Sequence, residues 1–404
     1  MKIVLLFYVI CFGIAIYISM TCPFSLLFDY FHDDNELVAI VTDLNEQRTH
    51  RADEYFKRRA RDVASRLIPV QLDILVVIVT VARSAGGHYL TQTAAAMDRE
   101  MRGARESWSL ALLVCNVDKT PEYNVEASRL KRHFMYADKS RRLDGRSVHI
   151  PRLVNSGLKD PARIQEISDY VLCLNTSLVL NYSYILVVED DVIPVHDVFD
   201  VMQHALKQKL SHVDTLRSPS SHMTTKIPFS FLKLYYPQRW QGYAFEKDRI
   251  IELVSFGLFF GGLTFALFSC NMLVNSRTVY ASYFRLATHV IMFVVLAKLL
   301  GRVSVNELRR VSPHVYRFGA SADCCTQAML YPRAVLPGIM SHLLVNNSRN
   351  KDLAIAEFAR TARLPGYQLE PNLFHHIGMR TSLAGGRDKR PEEFLIRVPD
   401  DTFS

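Results

Sequence analysis

The sequence predicts an α/β domain that is interrupted by a pair of membrane-spanning helices and preceded by a membrane anchor. Three observations support this prediction. Apolar strand-like runs alternate with helical stretches between residues 73 and 210, which is typical of an α/β sheet. An apolar stretch without charges covers residues 3–20, and two more apolar stretches cover residues 250–270 and 281–300. Each of the three is long enough to cross a bilayer.

Length and composition are consistent with a large core, part of it in a membrane. The chain has 404 residues, of which 49% are hydrophobic, and it contains 23 Phe and 18 Tyr. The net charge of +8 favours anionic substrates or lipid headgroups. A nucleic-acid partner is disfavoured, because the chain has no nucleic-acid-binding motif and no interleaved basic and aromatic patch.

The N-terminal apolar stretch predicts an uncleaved anchor. Its apolar run exceeds the usual core of a signal peptide, and no A-x-A-like cleavage site follows it. A cleaved signal peptide is the alternative. With an uncleaved anchor, the short N-terminus would be cytosolic and the rest of the chain lumenal.

The two internal apolar stretches predict a transmembrane hairpin. Gly257 and Gly261 have the small-xxx-small spacing that lets two helices approach closely. The second stretch carries Arg285 and His289 near its start, which makes it the weaker span. A buried helical pair in a soluble fold is the alternative.

The acidic strand at residues 184–194 is the most informative stretch for function. A run of aliphatic residues ends in Glu189, Asp190 and Asp191, and in an extended backbone Glu189 and Asp191 share one face. Adjacent carboxylates repel one another unless a cation offsets them, and oxygen ligands suit Mg²⁺ or Mn²⁺. The pattern therefore predicts a metal–diphosphate site. An acidic turn after a core strand is the alternative.

Two other predicted strands also end in polar residues. The strand at residues 73–80 ends in Thr80 and is followed by Arg83, and the strand at residues 110–117 contains Asn116 near its end. In a parallel-type sheet these ends converge with the acidic strand, where ligands bind. Arg83 would then be a partner of a diphosphate; a surface salt bridge is the alternative.

The part of the chain beyond the hairpin completes the domain. Residues 318–330 predict a structured loop and the start of a helix, and residues 332–345 predict a helix. His375 and His376 are predicted in a loop. A histidine that meets the acidic strand could complete a metal shell.

The cysteines and glycosylation sequons suit a lumenal domain. Cys115 and Cys173 could form a bridge, whereas the adjacent Cys324 and Cys325 could bond to each other or each pair elsewhere. Three Asn-x-Ser sequons lie on both sides of the hairpin, as expected if both flanks are lumenal; their acceptors are Asn175, Asn181 and Asn346.

The anchor, the Val-Val-Glu-Asp-Asp strand, the hairpin and the Asn-Leu-Phe-His-His-Ile-Gly stretch together resemble the Golgi family of GPI-anchor GalNAc transferases. The resemblance covers nearly the whole chain. The acidic strand and the Leu-Phe-His-His-Ile-Gly stretch are also similar to the N-glycan-branching GlcNAc transferases, which lack the hairpin. The resemblance implies a GT-A fold, a UDP-GalNAc donor, a Mn²⁺ ion, and inverting transfer of GalNAc to the first mannose of the GPI glycan.

The resemblance also implies roles for individual residues. Donor binding would fall on three stretches, Thr80, Val81 and Arg83; Glu189, Asp190 and Asp191; and Thr326, Gln327 and Ala328. The metal would be held by Glu189 and Asp191 with His376. An inverting reaction needs a general base, for which the candidates are Asp323 and Asp352.

This interpretation divides the chain into segments with distinct roles. They are an anchor (residues 1–22), a lumenal stem (23–70), the first half of a catalytic domain (71–249), the hairpin (250–300), the second half of the catalytic domain (301–385) and a polar tail (386–404). The expected location is the Golgi membrane, with a lumenal catalytic domain that acts on GPI-anchored proteins. A branching-type lumenal GlcNAc transferase and a non-catalytic multipass scaffold are the alternatives.

Overall fold

The computed structural model describes most of the chain and divides it into two compact units. The described residues are 2–59, 70–83, 87–140, 143, 161–210, 229–269, 279–345, 350–379, 390–396 and 400–403. The first unit, called the helical unit below, comprises Met1–Val38 and Pro237–Val311. The second, called the sheet unit, comprises Ala39–Tyr236 and Ser312–Ser404.

The described α-helices and strands are numbered in chain order. The helices are α1 (Lys2–Thr21), α2 (Phe28–Phe31), α3 (Asp34–Arg59), α4 (Tyr89–Gly103), α5 (Val125–Leu130), α6 (Pro161–Ser177), α7 (Val198–His204), α8 (Lys247–Ser269), α9 (Val279–Leu300), α10 (Arg302–Glu307), α11 (Leu336–Val345) and α12 (Lys351–Thr361). The strands are β1 (Leu72–Thr80), β2 (Leu110–Asn116), β3 (Met135–Asp138), β4 (Tyr182–Glu189), β5 (Val192–Pro194), β6 (Phe231–Lys233), β7 (Arg317–Ala320), β8 (Ala328–Pro332), β9 (Gly366–Glu370) and β10 (Phe374–His376).

Three helices of the helical unit, α1, α8 and α9, are long and apolar enough to cross a membrane. Helices α8 and α9 pack closely at two glycines. A Cβ atom on Gly257 would lie 2.5 Å from Cγ2 of Val294, and one on Gly261 would lie 2.7 Å from Cα of Val290. The residues that join the two helices (270–278) lie outside the described part of the chain, so the membrane hairpin stays a prediction.

Helix α1 also packs on α9 in the helical unit. The Tyr8 hydroxyl hydrogen-bonds to Nδ1 of His289 on α9. The Phe7 ring contacts the ring of Phe268 on α8 edge-on, at 5.5 Å between centroids. The apolar N-terminal stretch therefore packs as part of a group of three helices.

The sheet unit contains one eight-stranded sheet with the order β3-β2-β1-β4-β8-β6-β9-β7. The first four strands are parallel, which agrees with the α/β prediction. Strand β8 runs antiparallel to both β4 and β6, and β7 runs antiparallel to β9. Strands β6 and β9 pair parallel to each other. The sheet is therefore mixed, and the expectation of a parallel-type sheet fails at β8 and β7, which run opposite to the other six strands. Strand β8 is antiparallel to β4 because the chain enters β8 at the carboxyl end of β4, where Ala328 lies opposite Val188.

The register aligns the carboxyl ends of three strands. Thr80 at the end of β1 is level with Asn116 on β2, and Val79 is level with Glu189 on β4. The interior of β1 is buried on both faces of the sheet: Ile78 packs in the cluster that includes α4, and Val77 packs in the cluster that includes α6. This explains why the strand is a continuous apolar run instead of an alternating one.

Most of helix α3 packs within the sheet unit, and the role of residues 23–70 as a stem stays a prediction. From Ala39 onward it belongs to the sheet unit, where the Tyr55 hydroxyl donates to Asp98 and Arg59 lies 3.1 Å from the same carboxylate. Arg59 of this segment therefore pairs with a buried carboxylate on α4.

Two local predictions were wrong. Residues 328–332 form strand β8 and not the start of a helix, and His375 and His376 lie on strand β10, which pairs antiparallel with β5. Both strands are short and lack an alternating pattern, so their period could not be read from the sequence. The helical stretches expected between residues 73 and 210 are present as α4 to α7, and the helix predicted at residues 332–345 is present as α11.

Two cysteine pairs considered in the sequence analysis are bonded in the sheet unit. The structure joins Cys115 on β2 to Cys173 on α6, and it joins the adjacent Cys324 and Cys325. Asn181 is exposed, and its side-chain oxygen accepts a hydrogen bond from Arg333 at 3.1 Å. Asn175 is half-buried. The predicted sequon at Asn346 lies outside the described residues.

Candidate active site

The site is built around Asp190, which follows the end of β4. Only 3% of this residue is exposed. It accepts a hydrogen bond from the Thr80 hydroxyl at 2.7 Å and pairs with the Arg83 guanidinium. Thr80 can reach Asp190 because β1 and β4 are neighbouring parallel strands that end at the same edge. The predicted convergence of strand ends is thus present for these residues.

Asp191 is held between a cation and a histidine. Its Oδ2 atom lies 3.0 Å from Nη2 of Arg83 and 3.1 Å from Nε2 of His376. The pairing of β5 with β10 brings His376 into place, since His376 is level with Val192 in this ladder. The backbone N–H of Ile377 donates to the carbonyl of Asp191 at 2.8 Å. Residues 185 positions apart in the chain therefore form one side of the site.

Gly378 allows Asp191 to take this position. A Cβ atom at residue 378 would lie 2.1 Å from Oδ2 of Asp191 and 2.7 Å from its Cβ and Cγ atoms. Such separations are far below ordinary van der Waals contact. The glycine is needed for a close approach of backbone to carboxylate.

Glu189 is held by a different set of residues. Its Oε1 atom lies 3.3 Å from Nζ of Lys351, and its backbone N–H donates to the carbonyl of Gln327 at 2.9 Å. The Thr326 hydroxyl is 3.5 Å from the same carboxylate oxygen. Glu189 therefore pairs with α12 and the loop before β8, whereas Asp191 pairs with Arg83 and His376.

Burial and the neighbouring charges act in opposite directions on the ionisation of these groups. Burial raises the pKa of Asp190, and the Arg83 guanidinium opposes that rise. Burial also raises the pKa of Glu189, and the Lys351 ammonium opposes it. For Arg83 burial alone would lower the pKa, but Asp190 and Asp191 outweigh burial and raise it.

Part of this cluster fits a divalent cation. Among the described residues no group of three metal-ligating side chains is already assembled. Asp191 and His376 nevertheless present an oxygen and a nitrogen 3.1 Å apart. Two ligands at right angles around a small octahedral ion lie roughly 3 Å apart, and carboxylate with imidazole is a donor set that suits such ions. Glu189 faces Lys351 instead, so its role as a metal ligand stays a prediction.

The loop before β8 is clamped from two sides. Lys233 donates to the carbonyls of Ala322, at 2.6 Å, and Cys324. Asp352 accepts from the backbone N–H of Cys325 at 2.8 Å. Burial lowers the pKa of Lys233 to about 8. Cys325 has a φ of 74°, a conformation that L residues rarely adopt, so the clamp holds the loop in an unusual backbone shape.

The two candidate bases lie in different surroundings. Asp352 also accepts from the Thr326 hydroxyl at 3.2 Å, which places it beside the predicted donor stretch. Asp323 is exposed and pairs with Arg360 at 2.9 Å. The structure therefore brings Asp352, and not Asp323, into contact with another predicted site residue. The role of general base stays a prediction for both.

The remaining predicted site residues contribute little side-chain chemistry. Val81 packs against the hydrophobic cluster that contains α6, and Ala328 is fully buried on β8. The Gln327 carbonyl accepts from Glu189, as described above.

Several residues of the site were not predicted. Lys351, Lys233 and Gly378 are described above, and the Thr93 hydroxyl donates to the backbone carbonyl of Asp190 at 2.8 Å. Only Gly378 had a usable signal, because it follows directly after the His-His-Ile stretch. A lone lysine or threonine in a helix or strand carries no pattern that distinguishes it from its neighbours.

Comparison with known proteins identifies one matching family. A family model described as GPI-N-acetylgalactosamine transferase PGAP4 matches residues 74–375, more than half of the chain. Among solved structures, the chain is 11% identical to glucosyl-3-phosphoglycerate synthase from Mycobacterium tuberculosis, which was solved with Mn²⁺, UDP-glucose and phosphoglyceric acid. That match covers 68% of this chain and 64% of the other, with a TM-score of 0.28. The chain thus spans just under two thirds of that enzyme, and the similarity is too low to define the fold.

Proposed function

The chain belongs to the GPI-N-acetylgalactosamine transferase family PGAP4, and from this membership we propose that it is a metal-assisted, inverting glycosyltransferase. In this proposal it transfers GalNAc from UDP-GalNAc to the first mannose of the GPI-anchor glycan. Residues 71–249 and 301–385 form the two halves of a GT-A-type catalytic domain. The acceptors are GPI-anchored proteins.

The observation that carries the proposal is the cluster of Arg83, Asp190, Asp191 and His376 at the carboxyl ends of β1 and β4. A site for a nucleoside diphosphate needs cationic groups for the phosphates and hard ligands for an accompanying ion. Arg83 supplies the cationic group. Asp191 and His376 would hold Mn²⁺, which when bound would offset the charge that develops on the leaving diphosphate.

Other residues position the donor and the acceptor. Asp190, which also accepts a hydrogen bond from Thr80, holds Arg83 just beyond the end of β1. The clamped loop presents Thr326 and Gln327 beside Glu189. Asp352 is the better placed candidate for the general base because it contacts Thr326, and Asp323 is the alternative.

We place the protein in the Golgi membrane with the sheet unit in the lumen. Two observations support a membrane protein with an oxidised domain, namely the three apolar helices and the disulfide between Cys115 and Cys173. Anchoring raises the effective concentration of a lipid-linked acceptor at the catalytic domain.

The test is a transfer assay with the full-length chain in detergent. A purified GPI-anchored acceptor is incubated with a panel of UDP-sugars, with Mn²⁺ or with a chelator. Wild type is compared with Asp191→Asn and with Asp43→Asn, a control at an exposed position on α3. Asp191→Asn keeps the shape of the side chain and removes its charge.

The outcomes separate the proposed function from its alternatives. Metal-dependent GalNAc transfer that survives in Asp43→Asn but is lost in Asp191→Asn supports both the activity and the site. A preference for UDP-GlcNAc would indicate a branching-type transferase. A folded wild type that transfers no sugar from any donor would indicate a non-catalytic scaffold.

A further inference from the structure

Lys351, the first residue of α12, is a buried cation that the proposed reaction does not yet use. Only 5% of it is exposed. Its Nζ atom lies 2.9 Å from Oε1 of Glu166 and 3.3 Å from Oε1 of Glu189. We infer that Lys351 is a positioning residue of the donor site, which holds the Glu189 carboxylate toward α12 and away from the Asp191–His376 pair. The inference rests on the proposed function for its kinetic consequences.

The ammonium group lies against the ring of Tyr170, which is itself hydrogen-bonded to Tyr331. The Nζ atom lies 5.0 Å from the centre of the Tyr170 ring, within the range of a cation–π contact. The hydroxyls of Tyr170 and Tyr331 hydrogen-bond to each other at 2.8 Å, and both side chains are buried. The Lys351 ammonium is therefore packed between the Tyr170 ring and the carboxylates of Glu166 and Glu189, and these contacts fix its position.

The electrostatic surroundings keep Lys351 charged. Burial alone would lower its pKa, but Glu189 and Glu166 outweigh burial, so the pKa lies above its usual range. A charged, immobile ammonium can orient a carboxylate, since charge-assisted hydrogen bonds are stronger than neutral ones.

Two different cations pair with the three consecutive carboxylates at residues 189–191. Arg83 pairs with Asp190 and Asp191, and Lys351 pairs with Glu189. Without Lys351, the hydrogen-bonding contact left to the Glu189 carboxylate among the described residues would be with Thr326, whose 3.5 Å separation is too long for a firm hydrogen bond. About a third of the Glu189 side chain is exposed, so the carboxylate could then turn toward the place where the diphosphate binds and repel it.

If Lys351 served only to stabilise the fold, one carboxylate would be enough to offset its charge. Glu166 on α6 already supplies one at the shorter distance, and its side chain is 37% exposed. The second carboxylate, that of Glu189, belongs to the candidate active site. Glu166→Gln is therefore a matched control, because it removes the outer partner and leaves the Lys351–Glu189 pair in place.

The first experiment measures kcat and KM for UDP-GalNAc with the full-length protein. We expect Lys351→Met to raise KM at least tenfold, Lys351→Arg to recover most of that loss because it restores a cation, and Glu166→Gln to stay within threefold of wild type. The inference is overturned if Glu166→Gln and Lys351→Met cause equal losses, or if Lys351→Met has the kinetics of wild type.

A double-mutant cycle then tests whether Lys351 acts through Glu189. In the Glu189→Gln background, adding Lys351→Met should change KM less than twofold. An equal tenfold change in both backgrounds would show that Lys351 acts without Glu189.

A binding assay separates this inference from the proposed function. The dissociation constant of UDP is measured by calorimetry, with and without Mn²⁺, for the four proteins of the double-mutant cycle. These are wild type, Lys351→Met, Glu189→Gln and the double variant. If wild type binds UDP but transfers no sugar, the proposed function fails. The inference would still stand if Lys351→Met weakened UDP binding only where Glu189 is present, and it would fail if both backgrounds weakened equally.

Discussion

The contact between Gly378 and Asp191 gives a sharp test of the site geometry. In Gly378→Ala the added methyl group would lie 2.1 Å from Oδ2 and 2.7 Å from Cβ of Asp191. Non-bonded carbon atoms prefer separations of about 3.5 Å or more. Rotation of the Asp191 side chain cannot relieve the overlap, because Cβ itself is too close. One of the two backbone segments must therefore move by about 1 Å.

A displacement of this size should affect activity more than stability. Overpacking a buried position typically costs about 1–3 kcal/mol, whereas a misplacement of about 1 Å at a reacting centre can cost about 100-fold in rate. We expect GalNAc transfer by Gly378→Ala to fall by roughly two orders of magnitude, with a melting temperature only a few degrees below that of wild type.

The assay compares the Mn²⁺ dependence of transfer for wild type, Gly378→Ala and a second glycine variant. Gly103→Ala is the matched control, because a Cβ atom at Gly103 would meet nothing within 4 Å. It should retain both activity and stability. Full activity with unchanged Mn²⁺ dependence in Gly378→Ala would refute the argument that Asp191 must occupy its observed position.

Three further predictions concern stability. Cys115→Ser removes a bridge whose cysteines are 58 residues apart, and the loop-entropy relation predicts a loss of about 4 kcal/mol, measurable as a lower melting temperature. Gly261→Val should disrupt the pairing of α8 with α9, because its Cβ would lie 2.7 Å from the backbone of Val290, whereas Gly262→Val meets open space; thermal unfolding in detergent should separate the two variants, and equal melting temperatures would contradict this packing. For Lys233, burial lowers the pKa from 10.5 to about 8, so the native state loses this proton before the unfolded state does, and the unfolding free energy should rise between about pH 8 and 10.5. Lys233→Met should lack that rise in melting curves recorded from pH 7 to 10.

The parts of the fold that could be predicted are those with a strong local pattern. Strand β1 is a long β-branched run, and such runs form strands covered on both faces. Once β1 and β4 are placed side by side, the rule that strand ends converge brings Thr80 next to Asp190 without further information. This is why the centre of the candidate site could be predicted.

The parts that could not be predicted depend on contacts between distant segments. Strand β8 has five residues and no alternation, so neither its type nor its direction could be inferred. His376 could be named as a metal candidate, but its strand and its partner β5 could not. The pair formed by Lys351 and Glu189 joins residues 162 positions apart, and nothing local to either residue indicates it.

The pairing of β5 with β10 has a consequence for the biosynthesis of the protein. The ribosome makes Asp191 before α8 and α9, and it makes His376 only after all three apolar helices have been synthesised. A nascent or truncated chain that stops before residue 376 contains all three apolar helices and Asp191, yet it lacks half of the candidate ion-binding pair. The candidate site can therefore be completed only after residue 376 has been synthesised, and a copy terminated before that point would fold, at best, with the Asp191 side of the site alone.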